Sequence, residues 1–199
     1  MKVFAYCCAS FREATRRAAG VEPLLSPPVS ADDFNLAFNL AWLESMGGPE
    51  TRPYDRLLYF DLHGEPGEPF WRGDKGIVAL TASQVRETDL SGAVVFALSC
   101  YLADEDSPML DALLDAGAEY VIGGDGANYA GRQTVWGAGR LGLWVRVLMQ
   151  LGMEPLRALA VGKKRLEVTA LKEKTLGREK RLRDVKDTLT FRAYYRREK

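Results

Sequence analysis

The chain has 199 residues and a mass of 22.1 kDa, of which 47% are hydrophobic and 27% charged. That balance fits one globular domain, 1–199, with a substantial core, and excludes a disordered chain or a disulfide-stapled mini-protein. Its 27 basic and 27 acidic side chains cancel, yet residues 1–162 hold 13 Lys/Arg against 21 Asp/Glu (−8) while 163–199 hold 14 against 6 (+8).

Apolar stretches run only a handful of residues, so no membrane span is expected. The first ten residues lack the basic start, long apolar middle and cleavage site of a secretory leader, which makes a cytoplasmic address the expectation. Cys7, Cys8 and Cys100 specify no disulfide framework and are read as reduced thiols. The basic segment 163–199 admits two readings: a contact surface for nucleic acid or an acidic partner, or a solvated helix in which Glu167, Glu173 and Glu179 sit among lysines and arginines.

Lys2 to Ala9 reads as a short buried strand, and Glu22 to Ser30 as a proline-bearing loop. Ala31 to Met46 reads as a helix: Ser30 is an N-cap, Asp32 and Asp33 suit the first turn, and Phe34, Phe38, Ala41 and Trp42 recur at helical spacing. Gly47 to Pro53 is a second loop, and Leu57 to Leu62 is a strand ending at His63-Gly64. Phe70-Trp71 and Ile77 to Leu80 flank a turn composition, Arg72 to Gly76, as a hairpin, and a turn of helix follows from Ala82 to Glu87.

Gly92 to Cys100 is apolar without alternation, as expected of a central strand covered on both faces. Pro108 to Ala116 is a helix closed by Gly117, and Tyr120 to Gly123 another buried strand. Gln133 to Leu151 and Glu154 to Leu171 have helical spacing, and Thr188 to Tyr194 reads as an edge strand. The alternation gives an α/β class with a mainly parallel sheet and helices on both sides.

His63 is the single histidine, so imidazole chemistry at neutral pH must use it. In an open parallel sheet the ligand crevice lies beyond the carboxyl ends of the strands, and two consecutive runs here end in His63 and Cys100. A thiolate beside an imidazole has the parts for acyl transfer through a thioester. Gly64, lacking a side chain, and Cys100 itself offer backbone N–H groups for an oxyanion hole. Asp61, two residues before His63, either tunes the imidazole or faces solvent or a helix end. Cys7 and Cys8, on opposite faces of a core strand, read as packing. The chain has no HExxH, paired CxxC or P-loop, so metal and nucleotide cofactors lack support, and no cofactor is expected.

The blocks Leu57-Leu-Tyr-Phe-Asp-Leu-His-Gly64 and Val94-Val-Phe-Ala-Leu-Ser-Cys100 resemble the two signature blocks of the caspase-like cysteine peptidases (caspases, legumain, gingipains, clostripain, separase). Leu80 to Val85 and Ser107 to Gly123, with Leu141 to Lys164, resemble the separase-related CHAT branch in particular. The resemblance covers roughly residues 55 to 170. It implies a caspase-like αβα sandwich and a cysteine endopeptidase with Cys100 as nucleophile, His63 as general acid and base, and the Gly64 and Cys100 amides as oxyanion hole.

It further implies a protein or peptide substrate and an activating or substrate-presenting protein partner; with a single histidine and no paired cysteines, a zinc site is not expected. Leu98 stands where several members carry a charged or polar residue that reads the substrate side chain. Asp125 falls near an acid that separase-like members use for a basic substrate residue, although Gly124-Asp-Gly-Ala-Asn128 departs from their pattern and Asp125 equally suits a turn. The alternative function is a catalytically silent caspase-like module that binds a protein, or nucleic acid, through 163–199.

Overall fold

A computed structural model describes residues 1–26 and 54–195, and the helix expected over 31–46 lies outside them. The strands are β1 (Lys2–Cys8), β2 (Leu24–Ser26), β3 (Arg56–Asp61), β4 (Phe70–Arg72), β5 (Val78–Thr81), β6 (Val94–Ala97), β7 (Tyr120–Gly123) and β8 (Arg192–Tyr195). The helices are α1 (Arg12–Ala19), α2 (Ala82–Arg86), α3 (Pro108–Asp115), α4 (Gly137–Gln150), α5 (Pro155–Thr175) and α6 (Glu179–Thr188). Six strands form one sheet in the order β2-β1-β3-β6-β7-β8, parallel except for β8, while β4 and β5 pair as a separate hairpin.

The unalternated apolar runs are explained by burial on both faces. Along β6, Val95 and Ala97 point into one apolar layer with α2, α3 and the hairpin, whereas Val94 and Phe96 point into another with α1, α4, α5 and α6. The expected α/β class, with a mainly parallel sheet between helical layers, is what the chain adopts.

Helix boundaries follow local chemistry. Thr81 and Gln84 cap α2 reciprocally, Ser107 Oγ accepts the Leu110 N–H at the start of α3, and the Glu154 carboxylate accepts the Leu156 and Arg157 N–H groups ahead of Pro155. At Gly142 on α4 a Cβ would press on Tyr59 and Phe96, so helix and sheet approach closely there.

Four expectations need correction. Leu24–Ser26 is the edge strand β2 rather than loop, because Tyr6 to Cys8 of β1 offer it a parallel partner. The helix expected from Gln133 begins only at Gly137, where φ is +51° and the chain folds back so that Ala138 N–H donates to Tyr129 O. The helix expected to end near Leu171 runs on to Thr175. Thr188 ends α6 instead of opening a strand, and β8 starts at Arg192.

The basic segment is built into the fold. Leu166, Leu182, Val185 and Phe191 are buried, β8 closes the sheet against β7, and Glu173 is buried beside Arg178 instead of lying on a solvated face.

Candidate active site

The ladder between β3 and β6 runs from Leu57 opposite Val94 to Phe60 opposite Ala97. That offset of 37 (97 − 60) is also the offset of His63 and Cys100 (100 − 63), so the two residues leave the sheet side by side. Past the strands, Leu98 N–H still donates to Phe60 O at 2.8 Å.

His63 is held by a two-way antiparallel bridge to Arg72: its N–H donates to Arg72 O at 2.9 Å and Arg72 N–H donates to His63 O at 2.8 Å. Its imidazole is exposed, with the ring edge-on to Phe11 at 5.4 Å. Cys100 sits on the turn after β6, followed by Tyr101 at φ +59°, and that turn is tied to the loop after β7 by Tyr101 N–H to Gly126 O (2.9 Å) and Ala103 N–H to Gly124 O (3.0 Å).

Gly64 joins the two turns. A Cβ built on it would overlap the Cys100 carbonyl oxygen and crowd its nitrogen, so only glycine permits this approach. Among the described residues the Gly64 N–H has no hydrogen-bond partner, and the Cys100 N–H has none beyond its own sulfur. The two turns thus meet at the Gly64–Cys100 main-chain contact.

The thiol is engaged elsewhere. Cys100 Sγ accepts the Asn128 N–H at 3.2 Å and donates to Asn128 O at 3.6 Å, and Asn128 Nδ2 donates to Ser99 O at 3.2 Å. Burial pushes the Cys100 thiol up; the Asn128 N–H opposes this, and the Asp61 charge adds to it. Among the described residues the Cys100 thiol and the His63 imidazole share no hydrogen bond. Asn128 was visible in the sequence only as the end of a glycine-rich segment after a strand.

Asp61 faces neither solvent nor a helix end. It is buried and accepts a hydrogen bond from Thr15 Oγ1 of α1 at 2.8 Å. Burial pushes its carboxyl up to about 7, with Thr15 opposing. Leu98, expected to border the substrate, instead has its side chain in the apolar layer with Phe96, Ala138 and Leu141. Even numbers on β6 share that face, so alternation carries Leu98 inward.

Asp125 lies on the rim of an open cleft of about 580 Å³ formed by Pro66 and Gly67 after the His63 turn, Ala103 to Asp106 after the Cys100 turn, and Arg192 of β8. Its carboxylate pairs with Arg192 Nη2 at 3.0 Å. Asp104 is pushed up by burial first and by Asp125 second, as expected where acids crowd. Tyr194 Oη donates to Ala103 O at 2.9 Å, so β8 braces both cleft walls.

No protein-family model matches the sequence, and a comparison with characterised proteins finds no match. Among solved structures, one of a secreted C11 cysteine protease from Bacteroides thetaiotaomicron, in complex with an irreversible peptide inhibitor, superposes with a TM-score of 0.44 at 18% identity. The overlap covers 67% of this chain and 36% of that one. So loose an overlap carries no residue across from one chain to the other.

Proposed function

We propose that the chain is a cysteine endopeptidase of the caspase-like type. Cys100 Sγ attacks a peptide carbonyl while its proton passes to His63; the Gly64 and Cys100 N–H groups hold the oxyanion. His63 then protonates the leaving amine, and water, deprotonated by His63, hydrolyses the thioester. The observation that supports this is the contact of Gly64 with the Cys100 main chain, which sets the imidazole-bearing and thiol-bearing turns side by side, with the Gly64 N–H free of a partner among the described residues. Asp125, with Asp104 behind it, gives the cleft a preference for a basic substrate side chain, which takes the place of Arg192.

In the resting chain the thiol is clasped by Asn128, so attack requires the loop 124–128 to yield, and a protein partner or the substrate itself is the agent proposed to move it. The test compares wild type with Cys100→Ala and His63→Ala, each checked for folding by circular dichroism, on denatured protein substrates, mapping new termini by mass spectrometry. Cleavage after Lys or Arg that is lost in both variants is expected; turnover retained in either one ends the proposal.

A second reading, a silent module that binds a protein partner, is favoured by one observation: the Asn128-bound thiol, its proton held on by burial, shares no hydrogen bond with the imidazole. It expects an unchanged partner complex in Cys100→Ala and no new termini from the wild type.

A further inference from the structure

Cys8, His63 and Asp74 are far apart in sequence and come from three segments: the end of β1, the turn after β3 and the loop between β4 and β5. Parallel pairing of Cys7 with Asp61 brings Cys8 and the chain beyond β3 to one sheet edge. The His63–Arg72 bridge then lays the hairpin over that edge. As a result Cys8 Sγ, a His63 ring nitrogen and an Asp74 carboxylate oxygen all lie within 4.8 Å of one another. The peptidase chemistry uses neither Cys8 nor Asp74.

We infer that Cys8, His63 and Asp74 form a binding site for a borderline-soft divalent cation, zinc foremost, with a fourth position open to water. Thiolate, imidazole and carboxylate are the donor types zinc prefers, and the two anionic donors balance a dication. Metal–ligand distances of about 2.0–2.3 Å place tetrahedral donors roughly 3.5 Å apart, so the longest separation closes by about 1 Å. The exposed imidazole and half-buried carboxylate supply that movement, while the fully buried thiol anchors the site.

The surroundings are built to hold such ligands. Asp74 Oδ2 accepts the Ser10 N–H at 2.9 Å and Oδ1 accepts Ser10 Oγ at 2.6 Å, which fixes the carboxylate while leaving lone pairs on both oxygens. Lys75 and Gly76, at φ +60° and +72°, turn the loop back so that Asp74 faces the sheet edge. The Cys8 thiol donates only a long bond to Arg72 O, 3.7 Å. Burial first and the Asp74 charge second push the thiol up to about 12, so a cation must displace a firmly held proton, which the metal–thiolate bond has to offset. A search for paired ligands along the sequence misses the set, since only the sheet topology assembles it.

The consequence for catalysis rests on the peptidase reading: an imidazole bound to a cation holds no proton to give, so occupancy and turnover exclude each other. Binding itself does not depend on that reading. The test adds Co²⁺ to the purified, metal-free full chain, follows thiolate-to-cobalt charge transfer and the tetrahedral ligand-field bands, and then displaces the cobalt with Zn²⁺.

One equivalent per chain is expected, with the charge-transfer band absent in Cys8→Ser, affinity lowered roughly tenfold or more in Asp74→Asn and in His63→Ala, and no change in Cys100→Ala. No charge-transfer band in the wild type, or a band that survives Cys8→Ser and vanishes in Cys100→Ala, overturns the site. Should Cys8→Ser fail to fold by circular dichroism, the partly exposed Asp74→Asn carries the test, and unchanged affinity there overturns it. A chain that binds cobalt as expected yet cleaves nothing keeps the cation site and loses the peptidase reading.

Discussion

Gly64 lies against the main chain of Cys100, with the Cys100 nitrogen and carbonyl both in contact range, so no side chain fits between the turns that carry the imidazole and the thiol. Gly64→Ala has no backbone strain to meet, since the φ of Gly64 is not in the left-handed region, and its effect is purely steric. We expect a loss of about 1–3 kcal/mol in stability from overpacking. The N–H itself is kept, but the Cβ pushes it off its aim, and turnover is expected to fall by up to about 10²–10³, the cost of losing one oxyanion donor altogether. Thermal melts and single-substrate kinetics on the same preparation separate the two effects; full activity with a lowered melting temperature would remove Gly64 from the oxyanion hole.

Cys100 is expected to behave as an ordinary or slow thiol until the pH is well above neutral, because burial holds its proton on. Iodoacetamide labelling followed by peptide mapping reads this directly. The rate at Cys100 climbs with pH without a plateau near neutrality, and Cys100 still labels before Cys7 and Cys8, which are fully buried. A plateau at or below neutral pH, abolished in His63→Ala, would mean instead that the imidazole already holds a thiolate in the resting chain.

Arg192 occupies the carboxylate that the proposed cleft offers to a basic substrate. Arg192→Ala therefore lowers KM for substrates with Lys or Arg before the cut, whereas Asp125→Asn raises it, about tenfold in each direction for a partly exposed charge pair, with little change in kcat. Equal KM values across both variants would place specificity elsewhere.

The buried Asp61 makes stability depend on pH with a definite sign. Its folded-state carboxyl, near 7, lies above the ordinary value of 3.8, so the native chain keeps a proton that the unfolded chain has lost. Stability is therefore greatest below the unfolded value and falls as pH rises toward 7, by up to about 1.4 kcal/mol per unit. Asp61→Asn keeps an acceptor for Thr15 and removes this slope. Urea midpoints at pH 4.5 and 7.5 should drop less in the variant than in wild type; parallel drops would show that Asp61 is ionised at little cost.

The strands and helices that were legible in the sequence are those whose apolar residues are large. Val94 to Ala97 and Tyr120 to Val121 could only be core strands, and Ser107 and Gly117 bracket α3 by their cap chemistry. The helix α1 was not legible because its buried face is Ala14, Thr15, Ala18 and Ala19, small residues hidden among Arg12, Glu13, Arg16 and Arg17. Helix α6 offers just Leu182 and Val185 among charges.

At the candidate site, the matching positions of His63 and Cys100 were legible because parallel strands of similar length keep a constant offset. The clasp by Asn128, the burial of Asp61 and the pairing of Asp125 with Arg192 were not, because each depends on loops or on a strand that meets the site from the far end of the chain.

The antiparallel strand β8 bears on the order in which the molecule can be made. Arg192 and Tyr194 brace the cleft walls, yet they are among the last described residues to leave the ribosome, after β1, β3, β6 and β7 have had time to pair. The cleft is thus framed only after the strands that carry the site have been made, and a nascent chain stalled before residue 192 holds both His63 and Cys100 without the wall that frames them.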